Sequence, residues 1–248
     1  MSGHSKWSTI KRKKGAADAK RGQLFTKLAR EITVAARSGL PDPDANVRLR
    51  LAIQKARAEN MPKDNIDRAI QRAAGGADGA NFDEVWYEGY GPAGVALMIL
   101  AMTDNRNRTV AEIRAALTRA NGTLGENGSV SWMFDQVGTI AVTTGDADPD
   151  EISLVAIDAG ATDVAAEDGT VEVYTDPHEL HRVQEELSGA GYEIDNAELT
   201  MKPKTLMSPD TDDAVKAIRL LEKLEDLDDV QTVYSNLDIT DEVMAAVS

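Results

Sequence analysis

Apolar residues recur at helical spacing near the start of the chain. Residues 23–36 carry one apolar face, formed by Leu24, Phe25, Leu28, Ile32, Ala35 and Ala36. Residues 46–60 are apolar on two sides, which is typical of the central helix in a small bundle. A third helical pattern spans residues 62–74. We therefore predict a three-helix domain over residues 23–75, with Asp42 as the N-cap of its second helix.

The pattern then changes from helical to extended. Residues 83–90 and 94–103 flank Gly91-Pro92, and this arrangement predicts two adjacent strands joined by a tight turn. A helix follows the polar turn that starts at Thr103, and residues 129–134 are predicted to form a short strand. Together these elements begin an α/β layer.

Residues 137–200 show the element order β-α-β-β-α-β, with an Asp168-Gly169 turn signal between the two middle strands. This order is the ferredoxin-like arrangement. The chain continues with a predicted helix over residues 212–227 and a predicted strand within residues 228–235. One helix and one strand cannot stand alone, so we expect them to complete the layer begun by residues 82–134.

The predicted fold is therefore α+β, with an N-terminal helical domain followed by two α/β domains. Residues 1–22 form a basic flexible arm, and residues 23–75 form the three-helix domain. Residues 81–135 together with residues 203–248 form one discontinuous α/β domain. The ferredoxin-like α/β domain of residues 136–202 is inserted into it.

Charge is divided between the two ends of the chain. The whole chain has a formal net charge of −15 at pH 7. Residues 1–80 carry 17 Lys and Arg against 8 Asp and Glu, whereas residues 81–248 carry 10 against 34. A polyanion would be attracted to the first part and repelled by the second, so we predict a nucleic acid as the partner.

The predicted contacts with nucleic acid lie in the arm and the first helix. They are Lys6, Trp7, Lys11, Arg12, Lys13, Lys14, Lys20, Arg21, Lys27, Arg30 and Arg37. Trp7 either stacks on a base or docks on the adjacent helices, and both interpretations stay open. Arg106 and Arg108, in the polar turn after the second strand, are either secondary phosphate contacts or partners of nearby acids.

Catalytic and metal-binding patterns are weak in this sequence. It contains no cysteine, which excludes disulfides and thiolate chemistry. His178, His181 and Glu185 share a helix face that resembles a metal site, but such a set in an acidic surface helix is more often solvated. We therefore predict no enzyme activity, no metal and no cofactor.

Membrane insertion and secretion are not indicated either. The longest apolar run, residues 95–102, is too short to span a bilayer. The basic N-terminus lacks the apolar core of a secretory signal. We expect a cytoplasmic protein without a membrane partner.

Several longer motifs extend over nearly the full length of the chain. They include Gly3-His-Ser-Lys-Trp7, Asn60-Met-Pro-Lys-Asp-Asn-Ile66, Tyr87-Glu-Gly-Tyr-Gly-Pro92, Thr103-Asp-Asn-Arg-Asn-Arg-Thr109, Gly128-Ser-Val130 and Leu224-Glu-Asp-Leu-Asp-Asp-Val-Gln231. On these residues the chain resembles the YebC/PmpR family. The main departure is Leu40, where the family usually has a glycine, and it affects loop shape more than function.

The resemblance implies three domains around a central cavity and a role in gene expression without catalysis. Bacterial members are usually labelled probable transcriptional regulators, some with DNA binding. The mitochondrial relatives resemble translational activators, and bacterial relatives have been linked to ribosomes stalled on proline-rich sequences. The resemblance therefore does not choose between DNA and ribosomal RNA.

The chemistry of the N-terminal region favours RNA. The sequence has neither a helix-turn-helix signature nor dimer heptads, which a regulator of duplex DNA generally needs. A cationic arm that leads into a basic helix suits irregular, folded RNA at least as well. Our leading hypothesis is a translation factor associated with the ribosome or another structured RNA, and the alternative is a DNA-binding transcriptional regulator. A basic protein partner on the acidic residues 137–248 is compatible with both.

Overall fold

Three helices form the first described part of the chain, as the apolar pattern predicts. The computed structural model describes residues 18–73, 81–167 and 169–247. The helices are α1 (Asp18–Ser38), α2 (Val47–Ala58) and α3 (Lys63–Ala73). Their facing sides share a buried core that contains Leu28, Ile32, Leu49, Ile53 and Ile66. Short helices are marginal in water, so this burial, rather than helix propensity, supplies most of their stability.

Helix α1 begins earlier than the apolar pattern predicts. The prediction placed its start at Gln23 and assigned residues 1–22 to a flexible arm, but the chain is helical from Asp18 onward. The helix continues through Gly22, which costs only about 1 kcal/mol relative to alanine. The rest of the predicted arm, residues 1–17, lies outside the described residues.

Asn46, rather than the predicted Asp42, caps the N-terminus of α2. Its side-chain oxygen accepts a hydrogen bond from the backbone N–H of Leu49 (3.0 Å). Its side-chain nitrogen donates to the carbonyl oxygens of Ala35 (2.9 Å) and Leu40 (2.8 Å). The prediction was wrong because a separate turn, which Asp42 stabilises, lies between that residue and the helix. Asn46 thus also ties α2 to the end of α1.

The rest of the chain contains both strands and helices. In chain order they are β1 (Asp83–Tyr90), β2 (Ala96–Thr103), α4 (Arg106–Arg119), β3 (Thr123–Leu124), β4 (Phe134–Thr143), α5 (Pro149–Asp158), β5 (Asp163–Glu167), β6 (Thr170–Thr175), α6 (Leu180–Gly189), β7 (Glu193–Pro203), α7 (Thr211–Glu225), β8 (Val230–Ser235) and α8 (Asp241–Val247). They build two four-stranded sheets, so the protein is α+β. Among the helices of the described residues, none combines the length and the apolar character that crossing a membrane requires.

The first sheet has the strand order β3-β1-β2-β8. All three pairings are antiparallel, and they place the strand nearest the C-terminus beside β2. Helices α4, α7 and α8 pack on one face, over a core that includes Leu97, Ile99, Ile113, Leu221 and Val233. Strand β3 and helix α8 were not predicted, because elements this short show too little periodicity.

Residues 134–202 form a compact unit, and the other described residues form a second one. The element order of this unit is β4-α5-β5-β6-α6-β7, which matches the predicted β-α-β-β-α-β order. Its strands lie in the order β5-β6-β4-β7. Glu167 of β5 pairs with Thr170 of β6 across the predicted turn, where Gly169 has a positive φ of 77° and Asp168 lies outside the described residues.

Strand β4 differs from its prediction, which placed a short strand at residues 129–134 and a second strand from residue 137. The structure has a 3-10 turn at Ser131–Met133 and then one continuous strand. The cause is Glu88 of β1, whose carboxylate accepts hydrogen bonds from the backbone N–H groups of Gly128, Val130 and Ser131. Those N–H groups are therefore not available to a strand ladder.

Replacing Asn46 by alanine should destabilise the protein, because it removes three hydrogen bonds of a buried amide. We expect the free energy of unfolding to fall by about 1–3 kcal/mol, as measured by urea denaturation. The matched control is Asp42→Ala, which removes one exposed turn hydrogen bond but no helix cap and should cost about 0.5 kcal/mol. Equal losses for the two variants would contradict the assignment of Asn46 as the cap.

Candidate nucleic-acid interface

The predicted contacts with nucleic acid fall into three groups in the structure. The first group lies outside the described residues and consists of Lys6, Trp7, Lys11, Arg12, Lys13 and Lys14. Lys20, Arg21 and Arg37 form the second group, near the two ends of α1. Arg21 and Arg37 are exposed, and neither side chain is joined to another described residue by an ion pair or hydrogen bond. No described residue therefore competes with an external anion for these two charges.

The third group, Lys27 and Arg30, binds the loop between α7 and β8. The Lys27 ammonium donates a hydrogen bond to the carbonyl oxygen of Glu225, the last residue of α7. Arg30 donates from Nη1 to the carbonyl oxygen of Asp228 (2.6 Å) and to the carboxylate of Asp229 (3.1 Å). Cations at a helix C-terminus satisfy its free carbonyls and are favoured by its dipole. A phosphate would have to compete with these bonds.

Asp229 lies at the centre of this contact, and its carboxylate is buried. Besides Arg30, it accepts hydrogen bonds from Arg108 (2.7 Å) and from the hydroxyls of Thr109 (2.7 Å) and Thr103 (3.1 Å). Burial alone would raise the pKa of Asp229, but hydrogen bonds from Arg108, Thr109 and Thr103 outweigh burial and lower the pKa. These five residues, which we call the Asp229 junction, join α1, β2 and α4 to the start of β8.

Both candidate secondary phosphate contacts pair with acids in the structure. Arg108 binds Asp104 (2.8 Å) as well as Asp229, and Arg106 forms an exposed ion pair with Asp83 (2.9 Å). Of the two interpretations that the sequence leaves open for these arginines, the geometry favours pairing with nearby acids. An exposed pair such as Arg106 with Asp83 is worth at most about 1 kcal/mol, so it is a small barrier to an incoming phosphate.

A groove of about 300 Å³ lies between α1 and α3, and we call it the α1–α3 groove. The side chains of Arg30, Arg68 and Arg72 line it, and so do the rings of Phe25 and Phe82. None of its described lining residues is acidic. The guanidinium carbon of Arg30 lies 5.0 Å from the centroid of the Phe82 ring, which is a cation–π contact. Cations and aromatic rings therefore meet in one concave surface.

No pattern in the sequence indicates the groove. Arg68 and Arg72 lie one turn apart on α3, a spacing that by itself is typical of a solvated helix face. Phe82 precedes β1 and reaches the groove only because α1 and the sheet pack together. The Asp229 junction is easier to find in the sequence. Asp229 and the Thr103–Thr109 segment belong to two motifs that carry the family resemblance.

Trp132 is an exposed aromatic residue that no sequence pattern indicates as a contact. Its side chain is 66% exposed, and its indole N–H donates to the carbonyl oxygen of Ser129 (3.1 Å). Glu88 holds the same loop. Burial would raise the pKa of Glu88, but hydrogen bonds from the loop N–H groups lower it, so the carboxylate stays charged at neutral pH. An indole held in this way is suited to contacts with a partner.

The histidine set has no metal-site geometry. His178 is exposed, and Nε2 of His181 lies 3.3 Å from a carboxylate oxygen of Glu185. Across residues 18–73, 81–167 and 169–247, no group of three or more His, Cys, Asp or Glu side chains is arranged to hold a metal ion. We therefore derive no chemistry from these histidines.

Asp229→Asn should destabilise the protein, because Arg30 and Arg108 lose their shared anionic partner. We expect the free energy of unfolding at pH 7 to fall by about 2–4 kcal/mol in urea denaturation. Asp228→Asn is the matched control, since the Asp228 carboxylate accepts an exposed hydrogen bond from Gln23 (3.1 Å) and should contribute less than about 1 kcal/mol.

The unfolding free energies of wild type and Asp229→Asn should depend differently on pH. Because the folded-state pKa of Asp229 is lowered, its stabilising contribution is complete above the unfolded-state pKa of about 4 and is lost as pH falls through the folded-state pKa. The stability difference between wild type and Asp229→Asn should therefore shrink between about pH 5 and about pH 2. A stability difference that stays constant over this pH range would contradict the lowered pKa of Asp229.

Comparison with known proteins places these features in a family. Residues 5–76 match the family model described as the TACO1/YebC protein N-terminal domain, and residues 82–237 match the TACO1/YebC second and third domain. A probable transcriptional regulatory protein of Roseiflexus castenholzii is 60% identical over 248 residues, which cover 98% of this chain and 97% of that protein. Another, from Geobacter sulfurreducens, is 54% identical over 244 residues, with 98% of each chain covered.

A solved structure shows the same fold. The crystal structure of a conserved hypothetical protein from Aquifex aeolicus matches with a TM-score of 0.82 and 47% sequence identity, covering 89% of this chain and 91% of that chain. The two family models together span the three-helix region and both sheets, which confirms the resemblance indicated by the motifs. The chain therefore belongs to the TACO1/YebC family.

Proposed function

We propose that the protein regulates gene expression by binding structured RNA, on the ribosome or elsewhere, through its cationic N-terminal region and without a catalytic step. The observation that carries this proposal is the division of charge. Residues 1–80 carry 17 basic and 8 acidic side chains, and residues 81–248 carry 10 and 34. The field of such a chain orients a phosphate-bearing partner towards its N-terminal region before contact.

The three-helix region supports this proposal with cations that the fold does not use. Some of its basic residues are used internally, since Arg48 pairs with Glu84 and Lys55 with Glu31. Others are exposed and have no ion pair or hydrogen bond with another described residue: Arg21, Arg37, Arg57, Lys63 and Arg72. They are spread over all three helices, which suits a partner with an irregular phosphate surface.

The Asp229 junction supports the proposal in a second way. It fixes α1 on the first sheet through a buried charge, so the cations of the helical region are held on a rigid support. Fixed cations lose less conformational entropy on binding than mobile ones. We infer that Lys6, Lys11, Arg12, Lys13 and Lys14, within residues 1–17, supply a large part of the electrostatic attraction.

The acidic remainder of the chain has a separate role in this proposal. The compact unit Phe134–Lys202 supports the predicted organisation, in which a ferredoxin-like domain of residues 136–202 is inserted into the domain of residues 81–135 and 203–248. We infer that this acidic part, apart from Phe82 in the α1–α3 groove, stays off the RNA and offers a surface to a basic protein partner. A ribosomal partner places the action of the protein in the cytoplasm.

The second candidate function is transcriptional regulation through duplex DNA. It is favoured by the name of the relatives from Roseiflexus castenholzii and Geobacter sulfurreducens, which are called probable transcriptional regulatory proteins. A reader of duplex DNA generally presents one helix to the major groove. Within the described part of the cationic region, the exposed cations without an ion pair or hydrogen bond lie on three helices instead of one, so RNA remains the leading candidate.

Sedimentation of the full-length protein with ribosomal particles through a sucrose gradient tests the proposal. We expect co-migration at low salt and release as salt rises, because bound phosphates release counterions. A chain truncated to begin at Asp18 keeps α1 intact and should lose most of this binding. Circular dichroism of the truncated chain controls for folding.

Two outcomes would contradict the proposal. Free sedimentation at low salt, together with a footprint on promoter DNA, would replace RNA binding by the transcriptional function. Co-migration that does not depend on salt or on residues 1–17 would remove the cationic region from the mechanism.

A further inference from the structure

We propose that the α1–α3 groove binds one unpaired RNA nucleotide, with its base against the rings of Phe25 and Phe82 and its phosphate on Arg68 and Arg72. This inference rests on the proposed function and specifies which part of an RNA the three-helix region recognises. It predicts a preference for single-stranded or looped RNA over a perfect duplex.

The size and lining of the groove support a single nucleotide. Its volume of about 300 Å³ is at the small end of ligand-binding clefts. Ala29, Met61 and Ala69 add apolar surface to the two phenylalanine rings. Proteins bind unpaired bases by stacking them on aromatic side chains, whereas a base inside a duplex is already stacked on its neighbours. A nucleotide therefore has to be unpaired to enter.

The charges of the groove point to a phosphate beside that base. Arg68 donates hydrogen bonds to the carbonyl oxygen of Asp64 (3.1 Å) and to the side-chain oxygen of Asn65, which are both neutral acceptors. These bonds orient the guanidinium group, and no described acid forms an ion pair with it. Arg72 is exposed and is not bonded to another described residue. With no acid among the described lining residues, the groove carries a net positive charge.

Arg30 has a different part in the same groove. Its charge is already balanced by Asp229, with Nη1 at 3.1 Å from the carboxylate. The same guanidinium group contacts the ring of Phe82, so Arg30 holds this ring in position. The groove therefore combines a positioned ring with two cations whose charges are not balanced. That combination fits a nucleotide better than it fits an inorganic anion, which would leave the aromatic surface unused.

Fluorescence anisotropy with a labelled single-stranded RNA and a duplex RNA of the same length tests this inference. Phe82→Ala should weaken the binding of the single strand by about 5- to 150-fold, the range expected for one lost stacking contact, and leave duplex binding nearly unchanged. Phe82→Tyr keeps the ring and should restore the wild-type affinity. Thermal denaturation of both variants separates a loss of binding from a loss of folding.

A charge-matched pair of variants tests the phosphate contact. Arg68→Gln with Arg72→Gln removes two charges inside the groove, and Arg57→Gln with Lys63→Gln removes two outside it. Both pairs should weaken duplex binding by a similar factor, because both lower the general electrostatic attraction. The groove pair should weaken single-strand binding several-fold more than the control pair.

The outcomes separate this inference from the proposed function. If the wild type binds RNA but Phe82→Ala and the groove pair lower single-strand and duplex binding equally, the groove is not a nucleotide site and the proposed function stands. If the wild type binds neither single-stranded RNA, duplex RNA nor ribosomes, both fail. A wild-type preference for the duplex would also overturn the groove assignment.

Discussion

The arrangement of the helical region on the first sheet depends on one buried carboxylate, that of Asp229. A buried charge is costly unless partners compensate it, and here Arg30 of α1 and Arg108 of α4 do so, with two threonine hydroxyls completing the set. Removing the carboxylate would leave the two arginines facing each other. The junction therefore holds a cationic helical region on an acidic layer, an arrangement that the overall charges of the two parts also favour.

The junction divides the basic residues into two kinds. Lys27, Arg30 and Arg108 compensate carbonyls and carboxylates within the fold, so they serve stability first. Arg37 and Arg72 have no such partner among the described residues, and they supply charge for an external polyanion. Sequence spacing cannot make this distinction, because Arg30 and Arg37 lie seven residues apart and share a helix face. Their roles differ because the loop between α7 and β8 packs against Arg30.

Sequence periodicity predicts structural features that depend on residues close together in the chain. It fails for features that depend on contacts between residues far apart in the chain. The strand β1 has the predicted bounds, because Val85, Trp86 and Tyr87 favour extended backbone and Gly91-Pro92 ends the strand, and both are local signals. The cap of α2 was misassigned because Asn46 is held partly by a hydrogen bond to the carbonyl oxygen of Ala35, in another helix. The start of β4 was misassigned because Glu88 binds N–H groups some forty residues away. Asp229 and Thr103 lie still further apart in sequence. The α1–α3 groove also depends on distant contacts, since its cations and rings come from three separate segments.

The central claim is that RNA contacts the cationic N-terminal region and avoids the acidic remainder of the chain. Ultraviolet crosslinking of the full-length protein to bound RNA, followed by mass spectrometry of the crosslinked peptides, tests this claim most directly. We predict crosslinks within residues 1–82, including the peptides that contain Phe25 and Phe82, and few within residues 134–202. Crosslinks confined to residues 134–202 would contradict the account.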